Sequence, residues 1–95
     1  MPAYLVSLIR ITDPERYQEY IPISTSAVAK YGGRFVVRGG APDSMEGCLG
    51  SNRVVVVEFE SREQAKRFYD SPEYLLAREV RAGAANFNTC IADGY

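Results

Sequence analysis

Four stretches of the chain are dominated by β-branched and aromatic residues, the types that strands favour. They cover residues 3–11, 34–38, 53–60 and 86–91, and the third is the most apolar. In the first stretch the two alternate sets of side chains are both mostly apolar. The pattern therefore predicts four strands, with both faces of their sheet covered.

Between the first two strands, apolar side chains recur every three or four residues, which is typical of an amphipathic helix. Asp13 predicts the start of this helix as its cap, and Pro14 suits the first helical position. The glycine pair at 32–33 predicts its end. Pro22 lies inside the helix, so we expect the helix to bend or split there.

Between the third and fourth strands, the same spacing predicts a second helical segment in two pieces. Ser61 and Gln64 have the spacing of a capping box at its start. Ala65, Phe68 and Tyr69 form its inner stripe. The run Asp-Ser-Pro at 70–72 interrupts it, and a last helix is expected to continue to about residue 83.

The order of these elements is β-α-β-β-α-β, the arrangement called split βαβ. It predicts one α+β domain over residues 1–95, of ferredoxin-like type. Its four-stranded antiparallel sheet carries the helices on one face and leaves the other face bare.

Alternation along the strands predicts which side chains point to each face. The wholly apolar sets should meet the helices: Leu5, Ile9, Ile11, Phe35, Val37, Val55, Val57 and Phe59. The bare face should then hold Tyr4, Val6, Leu8, Val36, Val54 and Val56, with Arg10, Arg34, Arg38 and Glu58 toward its ends. An apolar face of this size predicts pairing with a second copy through the sheet, as a two-fold homodimer.

Arg38 and Glu58 are predicted to be neighbours on adjacent strands of this bare face. Charges in an apolar interior must be paired or bound, so they are expected to form a simple buried salt bridge or part of a small cavity that takes an anionic or carbonyl-bearing ligand. The third alternative is that both side chains simply reach solvent. Glu58 is also the only candidate general base in the expected interior.

Tyrosines and one further arginine complete the candidate ligand-binding set. Tyr69 and Tyr74 bracket the 70–72 break, Arg81 follows two helical turns later, and Tyr4 is on the bare face. Tyrosine and arginine together can hold a carboxylate or polarise a carbonyl. The alternative is that Tyr69 packs in the core and Arg81 is solvated.

Composition excludes several classes of function. Eleven basic and twelve acidic residues are interspersed, with a net charge of −1, so nucleic acid is not an expected partner. The chain has no histidine and two distant cysteines, Cys48 and Cys90, which predicts no metal site and no cofactor. Free thiols predict a reducing, cytoplasmic location, and no apolar run is long enough for a membrane span.

Four segments of the chain together carry a family resemblance. They read TDPERYQEY, YGGRFVVRGG, EGCLGSNRVVVVEFES and FYDSPEYLLAREVRAGAA. Their order and their amino-acid sequences resemble those of the bacterial family called domain of unknown function 1330, over essentially the whole chain. The resemblance implies a ferredoxin-like fold that dimerises through its sheets, in the dimeric α/β-barrel superfamily, and it implies no agreed activity. Its matching positions include Tyr17, Tyr20, Arg34, Arg38, Arg53, Glu58, Tyr69, Tyr74 and Arg81.

Three functions remain open from the sequence. The first is a homodimer that binds a small anionic or carbonyl-bearing molecule in a pocket beside the sheet. The second, by analogy of fold alone, is a cofactor-free isomerase or monooxygenase-like enzyme. The third is a structural dimerisation module without a ligand.

Overall fold

The computed structural model describes all 95 residues, and its elements follow the predicted order. Strands β1 (Ala3–Ile11), β2 (Arg34–Arg38), β3 (Arg53–Phe59) and β4 (Ala85–Asp93) form one antiparallel sheet in the order β2-β3-β1-β4. The helices are α1 (Pro14–Lys30), α2 (Arg62–Tyr69) and α3 (Pro72–Arg81). The ferredoxin-like α+β fold is therefore confirmed.

Each helix begins at a side chain that caps it. Asp13 accepts a hydrogen bond from the Arg16 N–H at 3.2 Å, and Ser61 accepts one from the Gln64 N–H at 3.1 Å. Ser71 does the same for Tyr74 at 3.1 Å, so the 70–72 break separates two capped helices as predicted. These bonds satisfy N–H groups that have no partner within a helix.

Helix α1 runs through Pro22 without splitting, so that part of the expectation is wrong. Pro22 supplies no N–H to the carbonyl of Gln18, one turn earlier. Both residues are exposed, so water can take the place of the lost donor. The face of α1 that packs on the sheet is unaffected, and its buried side chains include Tyr17, Tyr20 and Val28.

The core lies between the helices and one face of the sheet. Its largest fully buried side chains are Phe59, Phe68 and Ile9. Gly33 fits tightly beside this core, because a β-carbon there would lie 2.7 Å from the Phe59 ring and 2.9 Å from Val28. Only glycine allows the chain leaving α1 to approach β3 so closely.

A β-bulge in β2 reverses the direction of its last side chains. Phe35 lies opposite Val57, but Val37 lies opposite Val56 and Arg38 opposite Val55. Val36 is thus the extra residue, and one inserted residue exchanges the faces of those that follow. The predicted orientations of Val37 and Arg38 are wrong: Val37 is on the bare face, and Arg38 is on the helix side.

The remaining assignments to the two faces agree with the alternation. Ala3, Leu5, Ser7 and Ile9 of β1 are buried beneath the helices, whereas Tyr4, Val6 and Leu8 are only half-buried on the other face. None of the helices has both the length and the apolar character needed to cross a membrane.

Candidate functional site

A small cavity of about 30 Å³ lies between α1 and the sheet, with α2 and α3 contributing to its wall. Most of its lining is apolar or aromatic, including Leu5, Ile9, Phe35, Val57, Phe68 and Phe87. The polar members are Ser7, Tyr17, Tyr20, Ser24, Arg38, Arg53 and Tyr74. Two guanidinium groups therefore reach a mostly apolar space in which no carboxylate takes part.

Arg53 is the first residue of β3 and lies opposite Ile9 of β1, which directs it to the helix side. Its side chain is half-buried over the Tyr17 ring, with the guanidinium carbon 5.9 Å from the ring centre. Its Nε atom is buried without a hydrogen-bond partner, and it forms no ion pair. A guanidinium in this position can donate to an anion that enters the cavity.

Arg38 reaches the same cavity because of the bulge in β2. Its guanidinium donates a hydrogen bond to the Thr25 hydroxyl and stacks 4.1 Å from the centre of the Phe35 ring. Arg38 is exposed, so the cavity meets the surface beside the end of β2. The predicted Arg38–Glu58 pair does not form, since the bulge places the two side chains on opposite faces.

Two buried tyrosines meet at the cavity wall. The hydroxyls of Tyr20 and Tyr74 are 2.6 Å apart, and the residues are 6% and 4% exposed. Burial, followed by the proximity of Tyr74, raises the pKa of Tyr20 far above its ordinary value. Burial also raises the pKa of Tyr17, against the opposing charge of Arg53. The hydroxyls of Tyr17 and Tyr20 therefore keep their protons and remain possible donors.

The other hydroxyls of the lining are bonded within the protein. Ser7 and Thr89 share a hydrogen bond of 3.0 Å between neighbouring strands. The Ser24 hydroxyl donates to the carbonyl of Ile21 at 3.1 Å. Among the lining residues, Arg53 alone has a buried polar side-chain atom without a hydrogen-bond partner.

Glu58 lies on the bare face, away from the cavity. Its carboxylate accepts hydrogen bonds from Arg34 at 2.8 Å and from the Tyr4 hydroxyl at 2.9 Å. The hydrogen bond from Arg34, and then that from Tyr4, lowers the pKa of Glu58. Glu58 is therefore a fixed anion, and it is not placed to act as a base in the cavity.

Tyr69 and Arg81 line a separate open groove between α3 and β4. The Arg81 guanidinium stacks 3.5 Å from the centre of the Phe87 ring, whose ring also belongs to the cavity wall. Arg81 also has a buried Nε without a partner. Tyr69 packs beside Tyr74, with ring centres 5.6 Å apart. The predicted site residues therefore fall in three places: Arg38 and Tyr74 at the cavity, Tyr69 and Arg81 behind it, and Tyr4 and Glu58 on the bare face.

Arg53 and Tyr17 were not among the predicted site residues, although both carry the family resemblance. A signal was present for Arg53. It precedes Val55, Val57 and Phe59 in the same alternate set, the set predicted to face the helices. An arginine in an otherwise apolar, helix-facing series indicates a special role.

The sequence model of the family described as Domain of unknown function (DUF1330) matches residues 2–95. The chain belongs to this family. No curated protein is significantly similar in sequence to this DUF1330 chain. The resemblance expected from the four sequence segments is thereby confirmed.

Solved structures similar to this DUF1330 chain establish its fold. A protein of unknown function from Rhodopseudomonas palustris is 20% identical with a TM-score of 0.78, covering 99% of this chain and 82% of that one. A dimeric ferredoxin-like protein of unknown function from Jannaschia sp. CCS1 is 10% identical with a TM-score of 0.81, covering 99% and 100%. SnoaB, a cofactor-independent oxygenase from Streptomyces nogalater, is 11% identical with a TM-score of 0.70, covering 99% and 93%.

Proposed function

We propose that this protein binds a small anionic or carbonyl-bearing molecule in the cavity between α1 and the sheet. The observation that carries the proposal is Arg53, a half-buried arginine that lines the cavity with a buried, unpartnered Nε. Burying a charged group without a partner is costly, so proteins pair such groups or use them to bind something. An anion in the cavity supplies the missing partner.

The distribution of ion pairs supports this assignment. The three salt bridges of the chain join Lys30 to Glu73, Arg34 to Glu58 and Arg62 to Asp93. None of them involves Arg38 or Arg53, the two arginines at the cavity. The two guanidinium groups at the cavity are therefore left without an acidic partner.

We also propose that the protein acts as a homodimer paired through the bare face of its sheet, in the manner of a dimeric α/β barrel. The apolar character of that face and the dimeric Jannaschia protein of the same fold support this. Both cysteines are free thiols, which fits the proposed cytoplasmic location.

Replacement of Arg53 tests the binding site. Acetate, pyruvate, phosphate and sulfate are each tested for a rise in the melting temperature of the wild-type protein, and we expect Arg53→Met to abolish any rise that an anion causes. A ligand at one hundred times its dissociation constant stabilises a protein by about 2.7 kcal/mol, which is readily measured. Arg62→Met is the matched control, because Arg62 makes its ion pair at the surface.

Arg38→Met is expected to weaken binding less than Arg53→Met, since Arg38 is exposed and already bonded to Thr25. Both variants should keep the dimer, because neither side chain is on the bare face. If no small anion stabilises the wild-type protein, the proposed pocket is wrong and a pairing module without a ligand is the better description.

A cofactor-free enzyme is the second candidate, and one observation favours it. Tyr20 and Tyr74 present a buried pair of hydroxyls at the cavity wall, which can polarise a bound carbonyl. The cavity has no carboxylate or histidine to serve as a base, since Glu58 lies on the other face. This lack favours binding over proton abstraction.

A further inference from the structure

We infer that the anion which occupies this cavity is a planar carboxylate, the head group of a small organic acid, and not a phosphate or sulfate. The inference rests on the function proposed above and names the chemical class of its ligand. It follows from the volume of the cavity, from the donors that surround it and from the charges at its mouth.

Volume is the first argument. The cavity measures about 30 Å³. On this scale a water molecule needs roughly 10–15 Å³, so the space holds about two waters. A carboxylate places two oxygens on one carbon and matches that space. A phosphate or sulfate carries four oxygens around a central atom and requires the walls to move apart.

The walls resist such movement because they belong to the core. Ile9 and Phe68 each line the cavity and are only 1% exposed. Close-packed cores respond to added volume with shifted backbones and unfavourable side-chain rotamers. A tetrahedral anion therefore binds at a cost that a carboxylate avoids.

The donors give the second argument. A guanidinium fork suits carboxylate and phosphate equally well, so Arg53 alone does not discriminate. Phosphate sites in proteins typically add free backbone N–H groups from a helix N-terminus or a glycine-rich turn. Here the N–H of Tyr74 is bonded to Ser71, and the N–H of Tyr17 is bonded to the carbonyl of Asp13. The N–H groups at these two helix starts are therefore not free to hold a phosphate.

The charges at the mouth give the third argument and place the rest of the molecule. Arg53 lines the cavity with a buried, unpartnered Nε, so the carboxylate binds beside it. Arg38 and the Phe35 ring stand where the cavity meets the surface. The carbon chain of the acid therefore extends from Arg53 toward these two side chains.

The test follows the Nε–H signal of Arg53 by nuclear magnetic resonance. Acetate, pyruvate, phosphate and sulfate are titrated separately at pH 7 and constant ionic strength, which removes differences in screening. We expect acetate and pyruvate to shift this signal saturably, and phosphate and sulfate to leave it in place. In Arg53→Met the carboxylate-induced shifts of neighbouring residues should vanish, and in Arg62→Met they should persist.

Arg53→Lys is a second variant that keeps the inference testable if Arg53→Met does not fold. It keeps the charge but loses the planar fork, so carboxylate binding is expected to weaken by roughly tenfold without disappearing. Saturable shifts of Arg53 by phosphate or sulfate, at concentrations similar to acetate, overturn the inference and leave the proposed function intact. A wild-type protein in which none of the four anions moves Arg53 overturns both.

Discussion

The helix-covered face and the bare face of the sheet both carry arginine, but only the bare face supplies an acidic partner. On the bare face, Arg34 donates to Glu58, which also accepts from Tyr4. On the helix side, Arg53 lies over an aromatic ring and its Nε has no partner. The more deeply enclosed charge is thus the uncompensated one, the reverse of what stability alone favours.

The burial of apolar side chains differs between the two faces in the opposite sense, because here the helix-covered face is the more complete one. Under the helices, Leu5, Ile9 and Val57 are almost completely buried. On the bare face, Val36 and Val37 remain 40% and 47% exposed. The helix-covered face is thus a closed core beside an unpaired guanidinium, and the bare face is an incompletely buried apolar surface on which Arg34 and Glu58 form an ion pair. The unpaired guanidinium on the helix side fits the proposed ligand, and the exposed apolar surface of the bare face fits the proposed pairing with another copy of the chain.

The largest expected effect comes from a charge at the centre of the bare face. In Val56→Glu, a two-fold dimer must bury the carboxylate twice, at a cost on the order of 3 kcal/mol per copy. We expect a protein that is dimeric at micromolar concentration to become monomeric, as measured by light scattering. Leu76→Glu on α3, where the native residue is 53% exposed, is the control and should stay dimeric. A dimer that survives Val56→Glu places the interface elsewhere.

The two cysteines give a second test of which face is covered. Cys90 lies on the bare face opposite Val6, whereas Cys48 lies in the loop between β2 and β3. Both are exposed in the single chain. In the dimer we expect a thiol reagent to modify Cys48 quickly and Cys90 slowly. The single variants Cys48→Ser and Cys90→Ser separate the two rates.

Dilution or the Val56→Glu change should release this protection, because both favour the monomer. Equal and concentration-independent rates for Cys48 and Cys90 would show that the bare face stays open in solution.

A third, smaller effect concerns the hydroxyl pair on the helix side. Tyr74→Phe leaves the buried Tyr20 hydroxyl without its 2.6 Å partner. An unsatisfied buried hydroxyl costs roughly 1–3 kcal/mol, which urea unfolding measures. Tyr95→Phe, at an exposed position, is the control.

The double variant Tyr20→Phe/Tyr74→Phe removes both hydroxyls at once. We expect it to be less destabilised than the sum of the two single variants, because no orphan hydroxyl remains. Strict additivity would mean that the two hydroxyls do not depend on each other.

The fold could be read from the sequence because its signals are local. Asp13, Ser61 and Ser71 cap the three helices that their spacing predicts. Alternation in β1 also placed Leu5 and Ile9 correctly beneath the helices. Caps and alternation depend on residues close together in the chain, so a single sequence contains the information they need.

The candidate site was less predictable because it depends on one bulge. Neither glycine nor proline lies between Arg34 and Arg38 to mark it, and the register shift between Phe35 and Val37 appears only when β2 meets β3. That shift carries Arg38 to the helix side and leaves Arg34 as the partner of Glu58. Arg53 was predictable in principle, since simple alternation places it beside Val55 on the helix side.

The smallest expected effect is the pH dependence of the ion pair on the bare face. Arg34 and Tyr4 lower the pKa of Glu58 below its ordinary value of 4.5. The folded form therefore holds this proton less tightly than the unfolded form does. The resulting stability is present above pH 4.5 and is lost as the pH falls through the lowered pKa of the folded form.

We expect the difference in unfolding free energy between the wild-type protein and Glu58→Gln to be largest near neutral pH and to shrink in acid. Urea unfolding from pH 7 to pH 3 measures it, with Glu19→Gln on α1 as an exposed control that removes no ion pair. A difference that stays constant with pH would mean that Arg34 does not stabilise the carboxylate of Glu58. The bare face would then no longer count as the face with a stabilising ion pair, and the unpartnered Arg53 alone would distinguish the two sides of the sheet.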